Sequence, residues 1–265
     1  MEKTDGDMED LIQFALNVIR RSGGEALLYY GKGREDVKFD EGLVTEAELH
    51  LTDFFQSELY RRFPDHQLYG NNEDRQTYSH DENRYLWVFD PMDGVANFQA
   101  GIPIWGLSVA LLENFWPIFG AFYMPLTGDL FHARAGQATY RDDKVVRISP
   151  RETIDDESLL LTYSRFHHHF KTDFPGKMRN LGCTTAHVCY VAMGRAEGAL
   201  LHNETYQDLA AARVLIESAG GKIFKLNGQE LFLNEYLNGE RINESLLVVA
   251  PQAYGEVSIH LRESY

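Results

Sequence analysis

The chain has 265 residues, 44% of them hydrophobic, enough to bury the core of one large domain or of two modest ones sharing an interface. Its 25 Lys and Arg stand against 40 Asp and Glu, a formal charge of −15 that would repel a nucleic-acid backbone, and no basic face interrupts it. The acidic segment from Met1 to Asp7 lacks the parts of a secretion signal and no apolar run reaches the ~20 residues of a membrane span, so a cytoplasmic protein with neither nucleic acid nor membrane as partner is expected.

Leu11, Phe14, Ala15, Val18 and Ile19 recur at helical spacing after an Asp-rich start, and Leu51, Phe54, Phe55 and Leu59 repeat the pattern after Thr45, which predicts two amphipathic helices. The apolar run Tyr85–Phe89 stops at Asp90-Pro91 and reads as a buried strand ending in a loop. Strands are expected at Leu107–Leu112, Ile118–Met124 and Leu130–Ala135, parted by the turn-forming Glu113-Asn114 and Thr127-Gly128-Asp129, as an antiparallel meander. Beyond Pro150 the pattern becomes layered α/β. It holds a strand at Leu159–Thr162, a helix through Ala186, Cys189, Tyr190 and Met193, a strand at Ala199–Leu201, and a helix from Asp208 to Ala219 stopped by Gly220-Gly221. Strands at Lys222–Phe224 and Leu246–Ala250 and a terminal helix complete it. With no repeat or long linker, two closely packed halves are predicted: an N-terminal α+β half over 1–150 and a C-terminal α/β half over 151–265. Cys183 and Cys189 have neither disulfide context nor ligand spacing and read as small packing residues.

Asp90-Pro91-Met92-Asp93-Gly94 places two carboxylates three residues apart beyond a buried strand. Hard cations such as Mg²⁺ take oxygen ligands and keep positions for phosphate and water, so this is a reasonable half-site; the plainer reading is a turn in which Asp93 caps a short helix beginning at Gly94. Bound cations would also reverse the repulsion that a chain of this charge exerts on an anionic substrate.

The string Trp87-Val88-Phe89-Asp90-Pro91-Met92-Asp93-Gly94-Val95-Ala96-Asn97-Phe98 resembles the Trp-x-x-Asp-Pro-x-Asp-Gly-Thr-x-Asn-Phe signature of the inositol monophosphatase family. Farther on, Tyr206-Gln207-Asp208-Leu209-Ala210-Ala211-Ala212, running to Glu217-Ser218-Ala219-Gly220-Gly221, is similar to the family's Trp-Asp-x-Ala-Ala helix and its glycine stop. Leu43-Val44-Thr45 and the order of elements match as well, and Gly182-Cys183-Thr184 resembles the backbone segment that holds the substrate's ring. The resemblance implies the layered αβαβα architecture of inositol monophosphatases and fructose bisphosphatases, Mg²⁺ as cofactor, a small phosphorylated substrate, an inositol or sugar phosphate, and a homodimer. On it, Asp90 would bridge two cations, the Met92 carbonyl would bind one of them, and Asp93 with Asp208 would hold the other. Gly94, Val95, Gly182, Cys183, Thr184, His202 and Asp208 would line the substrate site.

Several positions carry a second reading. Asp208 suits an ordinary helix N-cap, and Thr45-x-x-Glu48 suits a capping box as well as Glu48 suits support of the metal region. Lys38 is a solvated loop lysine or a phosphate neighbour, and His202 a pocket, core or surface residue. His167-His168-His169 reads as a solvated loop rather than a metal site. Two departures from the family pattern fall on water activation. Asn72 stands where the family has a metal-binding Glu, with Glu73 next to it, and an amide cannot take a proton. Val95 stands where the family has a Thr whose hydroxyl orients the attacking water. Losing that bond costs roughly 0.5–1.5 kcal/mol and losing a general base ~10²–10⁴-fold in rate. The expectation is a phosphatase, either fully active or impaired by these changes, with a catalytically inactive metal-, phosphate- or partner-binding protein as the alternative. Gln207 in place of the family's Trp is a third departure.

Overall fold

The structure, a computed structural model, describes residues 5–32, 41–70, 85–149 and 153–264. Lys38, Asn72 and Glu73 lie outside these residues. Helices α1 (Asp5–Ala26) and α2 (Glu41–Arg62) open the chain, and their periodic apolar residues, Leu11, Ala15, Val18 and Ile19 with Leu51, Phe55 and Leu59, are all buried. Thr45 sits in the second turn of α2, so the pair Thr45 and Glu48 is not the capping box that the sequence suggests; a capping box needs its Thr at the N-cap, just before the first turn.

A seven-stranded sheet follows in the order β1 (Gln67–Leu68), β2 (Tyr85–Asp93), β3 (Gly106–Glu113), β4 (Trp116–Met124), β5 (Asp129–Arg134), β6 (Thr139–Arg141) and β7 (Lys144–Val146). From β2 onward it is the expected antiparallel meander, lengthened by the β6–β7 hairpin. Asn114 and Phe115 both have positive φ, which matches the right-handed twist of the β3–β4 hairpin they join. The short helix α3 (Val95–Ala100) lies between β2 and β3.

The second sheet has five strands in the order β10 (Lys177–Arg179), β8 (Leu159–Thr162), β11 (Gly198–Glu204), β13 (Ile242–Val249) and β12 (Lys222–Lys225). Between these strands the chain forms α4 (Phe166–His169), β9 (Phe170–Thr172), α5 (Thr184–Ala192) and α6 (Tyr206–Ser218), and it ends with α7 (Tyr254–Ser258) and β14 (Leu261–Glu263). His167, His168 and His169 therefore form most of a one-turn helix rather than a loop, although all three side chains are exposed as expected.

Strand alternation sorts the core into layers. Trp87, Phe89, Val109 and Leu111 face α1 and α2, and the Phe55 ring stacks on Phe89 at 4.3 Å. Leu86, Val88, Ala110 and Leu112 face the opposite way, against Tyr206, Leu209 and Ala210 of α6 and Val188 of α5. Ala199, Leu201 and Val248 of the second sheet cover the other side of that helical layer. Leu200, Leu247 and Val249 turn outward onto Phe166, Ala253 and Val257. The result is the five-layer αβαβα order. Among the described residues no helix is long and apolar enough to cross a membrane.

Candidate active site

The strand Tyr85–Phe89 does not stop at Asp90 but continues to Asp93, with an irregularity at its end. Asp90 pairs with Ser108 and Asp93 with Gly106, so three steps on β2 match two on β3. In a regular strand, residues three apart face opposite sides; the extra residue of this bulge corrects the parity and lets two carboxylates of odd spacing serve one site. Asp90 is buried, with Oδ1 accepting from Met92 N at 3.1 Å, and Met92 itself is buried. Gly94 then turns into α3 with φ 91°. A Cβ there would lie 3.1 Å from Cys183 Cβ, Trp105 Cβ and the Ile104 carbonyl, so the turn requires glycine.

Asp93 does not cap α3. Its two carboxylate oxygens accept from the backbone N–H groups of Thr184 and Thr185, 2.9 and 2.5 Å away, at the start of α5. A carboxylate is favourable there because the first N–H groups of a helix have no internal partners and carry its positive end. Asn97 adds a second link: its amide donates to Ile104 O and Leu181 O, both at 2.6 Å. Gly182, with φ 75°, packs so closely that a Cβ would approach Asn97 Oδ1 to 2.7 Å.

Asp208 enters from α6, which begins at Tyr206 rather than at Asp208. Thr205 is the N-cap and Asp208 its capping-box partner two positions into the helix: Oδ2 accepts from Thr205 N at 2.7 Å and from Thr205 Oγ1 at 2.8 Å. Next to it, Gln207 Nε2 donates to Phe89 O at 2.8 Å, tying α6 to the strand just before Asp90. The departure at this position is thereby a structural polar link.

The three acids are close enough to repel one another. The Asp90 carboxyl is held well above the ordinary range, first by burial, then by the negative charges of Asp208 and Asp93, and last by that of half-buried Glu48. Asp208 is raised by burial and by Asp93, against the lowering influence of its bonds to Thr205 and of the Arg241 guanidinium. A fourth member was not foreseen from the sequence. Glu204, at the end of β11, is buried, accepts from Thr184 Oγ1 at 3.1 Å, and is pushed up to about 8 by burial and by the charges of Asp208 and Asp93.

Beside this cluster lies a cavity of about 500 Å³ bounded by Gly182, Cys183, Thr184, Glu204, His202 and Arg165, among others. His202 is thus a wall residue, with Nδ1 bonded to Ser245 Oγ at 3.0 Å. Val95 packs partly buried against the core on the α1–α2 side.

Residues 7–262 match the inositol monophosphatase family. The chain belongs to that family. A protein of Aquifex aeolicus named fructose-1,6-bisphosphatase/inositol-1-monophosphatase is 24% identical over 95% of this chain and 100% of its own length. A putative Nus factor SuhB of Neisseria meningitidis is 24% identical over 85% of this chain and 91% of its own. The solved inositol monophosphatase II of Staphylococcus aureus superposes with a TM-score of 0.77 at 21% identity, covering 94% of this chain and 92% of that one, a likeness that speaks for the fold.

For a hard cation of the kind the family generally uses, the donor type and charge of these acids fit: they are carboxylate oxygens, buried, and mutually repelling. Asp208 Oδ1 and Asp90 Oδ2 have no hydrogen-bond partner among the described residues. The rotamers are those of a capped fold, however. Among the described residues no three His, Cys, Asp or Glu side chains surround a point at which a metal ion would sit, because Asp93 and Asp208 are turned toward helix N–H groups. The acids of this cluster are therefore neighbours in electrostatic contact but not arranged as a closed cage.

Glu204 was missed because its signal is three-dimensional. Asn203, with φ 63°, accompanies a register shift between His202 and Glu204 in β11, and only that distortion with the distant Thr184 identifies the residue.

Proposed function

We propose that the chain is a Mg²⁺-dependent phosphomonoesterase acting on an inositol or sugar phosphate, with Asp90, Asp93 and Asp208 holding the cation. The observation that carries this reading is the buried Asp90 carboxyl, surrounded by the charges of Asp208, Asp93 and Glu48, an arrangement that a bound cation would offset. The family's members are phosphatases, and a small phosphorylated molecule is the partner this implies.

Bound Mg²⁺ would polarise the phosphoryl group and favour ionisation of a water molecule. The chain's own residues do the positioning. Asp93 fixes the start of α5 and with it the Gly182–Thr184 segment. Gly182 and Gly94 keep that backbone close to the strand end, and His202 and Glu204 close the cavity that would receive the alcohol portion of the ester. Phosphate release from inositol 1-phosphate, fructose 1,6-bisphosphate and AMP in the presence of Mg²⁺ tests the reading. The expected result is turnover on at least one ester, abolished by chelator and lowered on the order of 10²-fold or more by Asp93→Asn. Turnover that persists at full rate in Asp93→Asn overturns it.

A second reading, a family member that binds metal and phosphate or a partner protein without efficient hydrolysis, is favoured by Val95, which offers no hydroxyl beside Asp93 and Gly94. A relative named as a putative Nus factor accords with it. If Val95→Thr combined with Asn72→Glu raises phosphate release by orders of magnitude, this reading holds; an unchanged rate counts against it.

A further inference from the structure

Outside the acid cluster, one group of polar side chains is ordered beyond what closing the cavity requires. His169 Nδ1 is 2.7 Å from the Tyr163 hydroxyl, His202 Nδ1 is 3.0 Å from Ser245 Oγ, and the Tyr163 and His202 rings stack with centroids 5.0 Å apart. The two imidazole rings lie 4.6 Å apart, inclined at 50°. Since each Nδ1 bonds to a hydroxyl, each Nε2 lies on the ring edge away from that hydroxyl, and neither Nε2 has a hydrogen-bond partner among the described residues. Both residues line the cavity of about 500 Å³ beside Thr184 and a second of about 810 Å³ bounded by Glu244 and Arg262.

We propose that His169 and His202 form a two-imidazole site for a borderline divalent transition metal, Ni²⁺ or Cu²⁺, at the wall shared by these two cavities. Nitrogen donors select such ions, whereas Mg²⁺ prefers oxygen, so the site is chemically distinct from the Asp90 cluster. Metal-binding histidines generally present one ring nitrogen to the metal and donate the other N–H to an oxygen, which fixes the tautomer. That arrangement is available here without loss. With both Nε2 atoms on a metal, each ring donates from Nδ1, one to the Tyr163 oxygen and one to the Ser245 oxygen. Were both Nε2 atoms bonded to one ion at about 2.0–2.1 Å, ring centres 4.6 Å apart would subtend an angle near 90° at it, as square-planar and octahedral ions require. Two protein ligands leave positions open toward the cavities, where water or an oxygen of a bound molecule would complete the shell.

Cu²⁺ alone, added to the chelator-treated full chain and read by electron paramagnetic resonance, tests the site independently of any substrate. The expected result is one equivalent of copper with a two-nitrogen hyperfine pattern. His169→Ala and His202→Ala should each abolish that pattern, and Tyr163→Phe, which removes one orienting oxygen, should weaken binding roughly tenfold. His167→Ala, at an exposed neighbour lining neither cavity, should leave binding unchanged. Because His169 is exposed, its variant carries the test even if His202→Ala is poorly folded. Asp93→Asn, which removes phosphate release under the proposed function, should keep the copper signal. No two-nitrogen signal in the natural chain, or the same signal and affinity in the His169→Ala, His202→Ala double variant, overturns the proposal.

Discussion

Replacing Glu204 by Gln should stabilise the metal-free protein, and increasingly so as the pH rises. In the fold its carboxyl is pushed up to about 8 from an ordinary 4.5. Folding therefore binds a proton at this site between those two values, and stability falls as pH rises through that window, with the full penalty present above about 8. At 1.36 kcal/mol per unit, the penalty grows by roughly 3 kcal/mol between pH 5 and pH 8. Gln is nearly isosteric and keeps an oxygen for the Thr184 hydroxyl, so little else changes. The assay is thermal or urea unfolding of chelator-treated natural protein and Glu204→Gln at both pH values. The variant should be nearly equal at pH 5 and clearly superior at pH 8, by about 6–12 °C for a chain of this size. Saturating Mg²⁺ should narrow the gap, because a cation near Asp93 and Asp208 favours the ionised form. Unfolding curves that stay parallel from pH 5 to pH 8 would refute the claim that Glu204 is buried against its neighbours' charge.

Burial lowers His187 from 6.5 to about 4, and its Nε2 accepts from Leu181 N at 2.9 Å. The stability of that neutral ring is present above 6.5 and lost as the pH falls toward 4, so His187→Gln should flatten the acid limb of the stability curve by up to about 3 kcal/mol, measured by urea unfolding. Gly182→Ala combines a positive φ with a 2.7 Å approach to an amide whose NH₂ is already committed to two carbonyls, and should cost about 2–4 kcal/mol in the same assay.

Much of this architecture is legible in the sequence because it follows from period. The α1 and α2 stripes and the meander strands stand out by spacing alone, and each packs as its pattern requires. What is not legible depends on partners far along the chain. Asp93 reads locally as a cap for the helix after it, yet it caps α5, whose N–H groups come some ninety residues later. Asp208 reads as an N-cap because Thr205, a better one in an extended conformation, is recognisable only once the helix start is fixed. The strand continues past Asp90-Pro91 because a bulge absorbs the proline, and proline as a sequence signal argues for a stop. The short β6–β7 and β9–β14 pairs leave too few residues for a period to show.

These structural duties change how the three aspartates should be weighed. Asp93 would be useful to the fold with no chemistry at all, since it satisfies two N–H groups of α5. Asp208 would be useful as the partner of Thr205. Asp90 has no comparable role: its one bond is to the N–H two residues along its own turn, while burial and three neighbouring acids oppose its charge. An asparagine would keep that bond and shed the repulsion, so the fold is better served by Asn than by Asp at this position, and the aspartate there speaks most strongly for a cation. The consequence is measurable. With its carboxyl raised above the usual range, Asp90 costs stability at every pH above the unfolded value of 3.8, and Asp90→Asn should raise the melting temperature of the chelator-treated protein at pH 8 while abolishing the further rise on adding Mg²⁺. An unchanged or lower melting temperature without metal, or a Mg²⁺ response as large as that of the natural chain, would mean that the charge at Asp90 is compensated within the protein and that a cation site at the strand end has no electrostatic basis.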